Sequence, residues 1–278
     1  MLCVTAVNGI NDQHIWSQIE TLQESTRVVF LGASNLSRSF PTAVNVARDV
    51  LRTRLMIHAA MGPGRSYGKE SGFMGKKISG IFFSRLWDEY SAHECSRTIA
   101  FVTDIGNDLA YGEPPERITV WVAACVERLV QARAEVVLTN VPIGVLRRLS
   151  RTRFELFRAL LFPRCPLPWT TLLDRAEELH QRLADLSENR NMPIFTVPNA
   201  WYGFDPIHPR SAQLANYWRA MFAHVMKSDC PRGRLNTPLR TYWRLRTLST
   251  PDVRWKATSR RFSLTRATLA DGSRVVLY

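Results

Sequence analysis

The chain has 278 residues, 45% hydrophobic and 22% charged, the makeup of a globular protein with room for one large α/β domain and a further segment. No stretch approaches the ~20 apolar residues of a membrane span. The five cysteines are scattered with no C-x-x-C pair, which argues against a disulfide frame or a zinc site and for reduced thiols in the cytoplasm. The net charge is +13, and from Lys227 to Tyr278 twelve Lys and Arg face three Asp, so most of the excess lies in the last fifth.

Residues 1–26 are polar and weakly patterned. They read as a leader with a short helix around IWSQIETLQ and without the basic start and apolar core of a secretory signal. After them, short apolar runs alternate with longer amphipathic segments. The predicted strands are RVVFLG (27–32), RLMIHAAM (54–61), RTIAFVTD (97–104), EVVLTNVP (135–142) and PIFTVP (193–198). Each is a brief, largely apolar run bounded by turn residues, as expected of strands buried on both faces.

The predicted helices between them are FPTAVNVARDVLR, GKKISGIFFSRLWDEYSAH, PPERITVWVAACVERLVQARA, PWTTLLDRAEELHQRLADLSENR and HPRSAQLANYWRAMFAHVMK. Pro114 and Pro115 mark a helix start, where a missing N–H costs nothing. The basic and apolar segment 145–166 reads as an inserted helix near the surface. Such alternation predicts an α/β fold in three layers, α/β/α, on a parallel sheet of about five strands spanning residues 27–228. A basic extension, 229–278, follows as an appendage, and its Asp271-Gly272 pair signals a small β-hairpin.

Ligands of such sheets bind beyond the carboxyl ends of the strands. The ends deliver Gly32-Ala33-Ser34-Asn35, then MGPGRSYG (61–68), then Thr103 to Asp108, and last WYGFDPIHPRS (201–211). Taken alone, Ser34 is a helix cap, Asn107 a turn residue and Asp205-Pro206 a turn. Together they supply what acyl transfer requires. A serine hydroxyl needs a base, and His208 is the best placed of the six histidines; His58 sits within a strand and reads as a core residue. Asp205, three residues earlier, can orient that imidazole. The oxyanion needs donors fixed in advance, which the Asn107 amide, the Ser34 N–H and the N–H of Gly64 or Gly62 can provide. Asn35 and Arg65 are candidates for contacting substrate, Arg65 with a salt bridge as its plainer alternative. Asp104 and Asp108 flank Asn107, but a serine–histidine mechanism requires no metal and no cofactor.

The four blocks GASN (32–35), GPGRSYG (62–68), GND (106–108) and DPIH (205–208) resemble those of the SGNH (GDSL-type) hydrolase family in order, spacing and strand context. The resemblance implies a flavodoxin-like fold and hydrolysis of a small-molecule ester or thioester through an acyl-enzyme. It places the nucleophile on Ser34, the acid–base pair on Asp205 and His208, and oxyanion donors on Asn107 and a glycine of the second block, Gly64 being favoured. Ala33 stands where GDSL-type sequences usually carry Asp. Two alternatives share these residues: acyl transfer to an alcohol, and a binding protein using the basic tail for nucleic acid or another anionic partner. Trp243, Trp255 and Phe262, interleaved with arginines, suit base stacking, but a hairpin packing its aromatics on the domain is the simpler reading.

Overall fold

The computed structural model describes residues 25–73, 76–90, 95–163, 165–228, 230, 239–248, 254–255 and 265–278. The leader helix expected around residues 15–23, most of the Pro/Gly/Arg-rich stretch 230–240 and Phe262 lie outside the described residues. Ten strands and nine helices alternate along the described chain.

The sheet is built around β1 (Thr26–Leu31), all six residues of which are buried. It pairs in parallel with β2 (Leu55–Ala60) on one side and β5 (Arg97–Val102) on the other. Next to β5 lie β6 (Glu135–Thr139) and the two-residue β7 (Ile194–Phe195), again parallel. The five expected strands are all present. Beyond β2 the sheet continues with β10 (Arg274–Leu277), parallel to β2, and β9 (Thr265–Thr268), antiparallel to β10. The hairpin expected at Asp271-Gly272 thus forms, and its two strands bring the main sheet to seven.

Alternation along β1 separates two cores. Val28 and Phe30 face α1 (Ser34–Leu51) and α8 (Leu214–Met226), with Phe40, Trp218 and Phe222 around them. Val29 and Leu31 face α4 (Pro115–Gln131) and α7 (Trp169–Asn189), where Val122, Val126 and Leu179 pack. Strands buried on both faces carry no polar alternation, so only the tertiary contacts assign each side chain to a layer. Cys125 is buried in the second core, and burial pushes its thiol up to about 12. His58 is buried as expected, its Nδ1 2.8 Å from the Tyr278 hydroxyl of the hairpin. Among the described residues no helix is long and apolar enough to cross a membrane.

Two segments depart from the helix pattern. Where one helix is expected over 75–93, the described residues 76–90 yield instead β4 (Lys76–Ile78), a 3-10 turn at Ile81–Phe83 and the short α2 (Leu86–Tyr90). Gly80 breaks it, at a site where a Cβ would lie 2.8 Å from the Lys69 backbone nitrogen. There β4 joins β3 (Ser71–Phe73) and β8 (Arg254–Trp255) in a small antiparallel sheet that sequence patterning does not reveal. Segment 145–166 divides into α5 (Ile143–Leu146) and α6 (Arg151–Leu161), with the Ser150 hydroxyl capping the second by accepting from the Arg153 N–H. The remaining helices are α3 (Asn107–Ala110) and α9 (Leu239–Arg246).

Candidate active site

After β1 the chain passes to β2 on one side and then crosses to β5 on the other. The strand order therefore reverses at the β1–β5 pair, where open α/β sheets form their binding crevice. In register Leu31 pairs with both Ala60 and Val102, so the three strands end level. Gly32-Ala33-Ser34, Met61-Gly62 and Thr103-Asp104 consequently emerge together. Gly32 is required by this closeness, since a Cβ there would lie 2.3 Å from the Thr103 hydroxyl.

Ser34 is the first residue of α1, and its side chain makes no capping bond to its own helix. The capping expected of it is performed by another strand. The Asp104 carboxylate reaches across and accepts from the N–H groups of Ala33 (2.6 Å) and Leu36 (3.1 Å). Two orphan donors are satisfied, and negative charge is placed at the positive end of the helix. Asp104 holds this pose at φ 62°, a left-handed backbone that Asp tolerates better than most residues. Relieved of capping, the Ser34 hydroxyl points elsewhere, with its Oγ 3.0 Å from His208 Nε2.

The other nitrogen of that ring, Nδ1, lies 2.7 Å from Asp205 Oδ2. An ionised carboxylate only accepts, so Nδ1 carries the proton and Nε2 faces Ser34 as acceptor. Asp205 is fixed by a tight turn in which its Oδ1 accepts from the N–H groups of Ile207 (2.8 Å) and His208 (3.1 Å). Burial raises its pKa, but hydrogen bonds from His208 and the turn outweigh that, and the carboxyl is held below its ordinary value. Arg38, one turn into α1, adds a cation 3.6 Å from Asp205 Oδ2. Asn35 donates to the Ile207 carbonyl (3.2 Å), stitching the GASN turn to the DPIH turn.

Asn107 begins α3 and is buried, and its Nδ2 has no hydrogen-bond partner among the described residues. A buried amide without a partner is costly, and this one borders the cavity that Asn35 and Asp104 also line. The neighbouring Asp108 is wholly buried and holds the second block in place. It accepts from the Ser66 hydroxyl and from the Tyr67 N–H (2.9 Å), while Ser66 Oγ accepts from the N–H groups of Gly68 and Lys69. Burial pushes the Asp108 carboxyl up to about 6, against the opposing pull of those hydrogen bonds. In the same block Gly64 turns the chain at φ 66°, and the Tyr111 hydroxyl donates to its carbonyl at 2.5 Å.

Arg65 does not line the cavity described below. It is fully buried, donating to the main-chain oxygens of Ser79 (3.0 Å) and Tyr278 (2.6 Å). Its guanidinium ties the second block to the end of the C-terminal hairpin and does not line the cavity beside the site.

That cavity holds about 160 Å³ and is lined in part by Asn35, Asp104 and Asn107. Segment 143–172 supplies part of its wall, with Phe154 and Phe157 of α6 as a roof, and Thr139, Asn140, Ile207 and Pro209 also line it. The roof is tied to the DPIH loop, since Arg153 donates to the Phe204 carbonyl and Phe157 meets the Phe204 ring at 5.6 Å. Among the described residues no cluster of three His, Cys, Asp or Glu is placed to hold a metal.

Sequence reasoning named Ser34, Asn107, Asp205 and His208, and the fold brings the first, third and fourth into one hydrogen-bonded line. It noted Asp104 only as an acid flanking Asn107, and passed over Ser66, Tyr111 and Arg38. Their partners are contributed by distant segments, and only the TDIGND run, with two acids around Asn107, gave any signal.

No protein-family model and no curated protein sequence matches the chain. Among solved structures, one chain aligns at a TM-score of 0.50 and 11% identity, over 73% of this chain and 98% of its own length. The likeness is one of fold. The psychrotrophic esterase EstA from Pseudoalteromonas sp. aligns at a TM-score of 0.45 and 13% identity, over 72% of this chain and 97% of that one. An aryl esterase from M. smegmatis aligns at 0.47 and 13% identity, over 72% and 99%.

Proposed function

We propose that the chain is a serine hydrolase of the SGNH type that cleaves a small-molecule carboxylic ester through an acyl-enzyme. The observation that carries this reading is the continuous line from Ser34 Oγ to His208 Nε2 and from His208 Nδ1 to Asp205. Helix capping alone calls for none of it, because Asp104 already caps α1.

In the first half-reaction His208 Nε2 takes the Ser34 proton as Oγ bonds to the acyl carbon. Asp205 stabilises the imidazolium and keeps Nε2 directed at the serine. The carbonyl π-electrons move onto oxygen, and the unpartnered Asn107 Nδ2 is the donor ready to receive them, together with the Ser34 N–H and the Gly64 N–H. Such donors are each worth about 2.7–4 kcal/mol of barrier, because they need no reorganisation as charge develops. Collapse breaks the bond from the acyl carbon to the alkoxy oxygen, which leaves with the proton from His208. Water then repeats the sequence, giving up a proton to His208 as it attacks, and releases the acid and free Ser34.

The reading is tested with short-chain p-nitrophenyl esters. Ser34→Ala abolishes turnover above background while circular dichroism and urea unfolding stay those of the wild type, and a fluorophosphonate labels wild type but not the variant. Absence of turnover on every acyl ester, together with an unlabelled Ser34, refutes it.

A further inference from the structure

We propose that a second cavity, beside the loop that leads into Asp205, binds a phosphate group, either free or as a small monoester. It is separate from the nucleophile, since none of Ser34, Asn107 and His208 lines it.

The cavity holds about 150 Å³. Arg148, Arg153 and Asn199 supply its nitrogen-bearing side chains, and Tyr202, Gly203 and Pro206 add the loop that runs into DPIH. No Asp or Glu lines it. The acids nearest to these residues in sequence are engaged elsewhere, Glu155 on Arg158 (2.7 Å) and Asp205 on His208 (2.7 Å). Two guanidiniums thus face one small cavity without a counter-ion from the protein, and the field inside favours an anion.

The donors there have capacity to spare. Arg153 Nε is buried and has no hydrogen-bond partner among the described residues. Its Nη2 is used toward the loop, donating to the carbonyls of Gly203 (3.4 Å) and Phe204, with the guanidinium 4.9 Å from the Phe204 ring. Arg148 is exposed, and neither its guanidinium nor the Asn199 amide has a partner among the described residues. A buried N–H without an acceptor costs stability, and one oxyanion can accept from it and from Arg148 together.

Charge selects among anions. Two guanidiniums balance a dianion, and a phosphate monoester carries about −1.5 to −2 at pH 7, against a single charge on a carboxylate. Its oxygens also match the planar fork of arginine. The cavity has room for several waters, and so for one phosphate group in their place. A bound phosphate fixes Arg153, and through it the Gly203 and Phe204 carbonyls just ahead of Asp205. The site thereby orders the Asp205 turn from a distance.

The test is calorimetry on the full chain at pH 7 and constant ionic strength, with inorganic phosphate as the titrant. One phosphate binds per chain with a Kd of about 1 mM or tighter. Arg148→Gln and Arg153→Met each weaken binding about tenfold or more, whereas Arg244→Gln on α9, also exposed, changes it less than about twofold. Arg148→Gln removes an exposed side chain and stays informative if Arg153→Met does not fold. Acetate binds at least tenfold more weakly than phosphate. Glycerol phosphate separates the two sources: binding as tight as phosphate or tighter makes the occupant a monoester, tenfold weaker binding makes it the free anion, and either supports the site. Hydrogen exchange then locates it, with main-chain amides between 203 and 208 exchanging at least threefold more slowly when phosphate is bound. The proposal is overturned if neither phosphate binds at about 10 mM, if acetate binds as tightly, if both arginine variants bind as wild type does, or if exchange over 203–208 is unchanged at saturation. None of these readouts uses ester turnover, so they stand or fall apart from the hydrolase reading.

Discussion

Asp104 offers the sharpest test of how the site is built, because one side chain performs a task that local sequence would assign to Ser34. Its carboxylate accepts from two main-chain N–H groups at the start of α1, at 2.6 and 3.1 Å, from a backbone held at φ 62°. Hydrogen bonds to a charged group contribute about 1.5–3 kcal/mol each. Asp104 is only half-buried, so the lower end applies, and losing both costs about 3 kcal/mol. The left-handed backbone adds about 1–2 kcal/mol for a residue with a Cβ and nothing for glycine. Three substitutions separate these contributions. Asp104→Asn keeps an acceptor and tolerates the backbone, and costs about 1 kcal/mol. Asp104→Gly loses both bonds but also sheds the strain, for a net cost of about 1–2 kcal/mol. Asp104→Ala loses the bonds and keeps the strain, and is less stable than the glycine variant by about 1–2 kcal/mol. Urea unfolding at pH 7 measures all three, and p-nitrophenyl ester turnover follows the placement of Ser34, with kcat at least tenfold lower in the glycine and alanine variants. A glycine variant within about 0.5 kcal/mol of wild type would refute the claim that Asp104 caps α1.

Asp205→Asn leaves the turn largely intact but removes the charge that fixes the His208 tautomer, so kcat for ester turnover falls by on the order of 10³–10⁴ with KM little changed. Asp108 has its pKa raised from 3.8 to about 6, so the folded chain holds more protons than the unfolded one between those values. Stability from this group is therefore lost as pH rises from about 4 to about 6, by about 3 kcal/mol, and is level above that. Subtracting urea midpoints of Asp108→Asn from those of wild type at pH 4.5 and 7 isolates the effect, and an unchanged difference would count against it. Arg65→Met strips buried carbonyls of their donor and loosens the second block from the hairpin, lowering stability by about 3 kcal/mol; a loss below about 1 kcal/mol would show that the buried cation is dispensable.

Sequence alone was sufficient for what depends on local pattern. Short apolar runs give strands, amphipathic runs give helices, and proline at 115 starts a helix where its missing N–H is harmless. It also named Ser34, His208 and Asp205, because acyl chemistry needs those side-chain types at strand ends and Asp205 is only three residues from His208. The tertiary structure decided whatever rests on contact between distant segments. Asp104 replaces Ser34 as the cap because β5 lies beside β1. Arg65 turns inward because the hairpin, more than two hundred residues later, adds its strand to β2 and presents a main-chain oxygen. The stretch 76–90 follows the small sheet and its close backbone approach at Gly80 instead of helical periodicity. Periodicity reports which face of an element is apolar; which element covers that face, and which donors remain without partners in the crevice, is set only when the strands take their order.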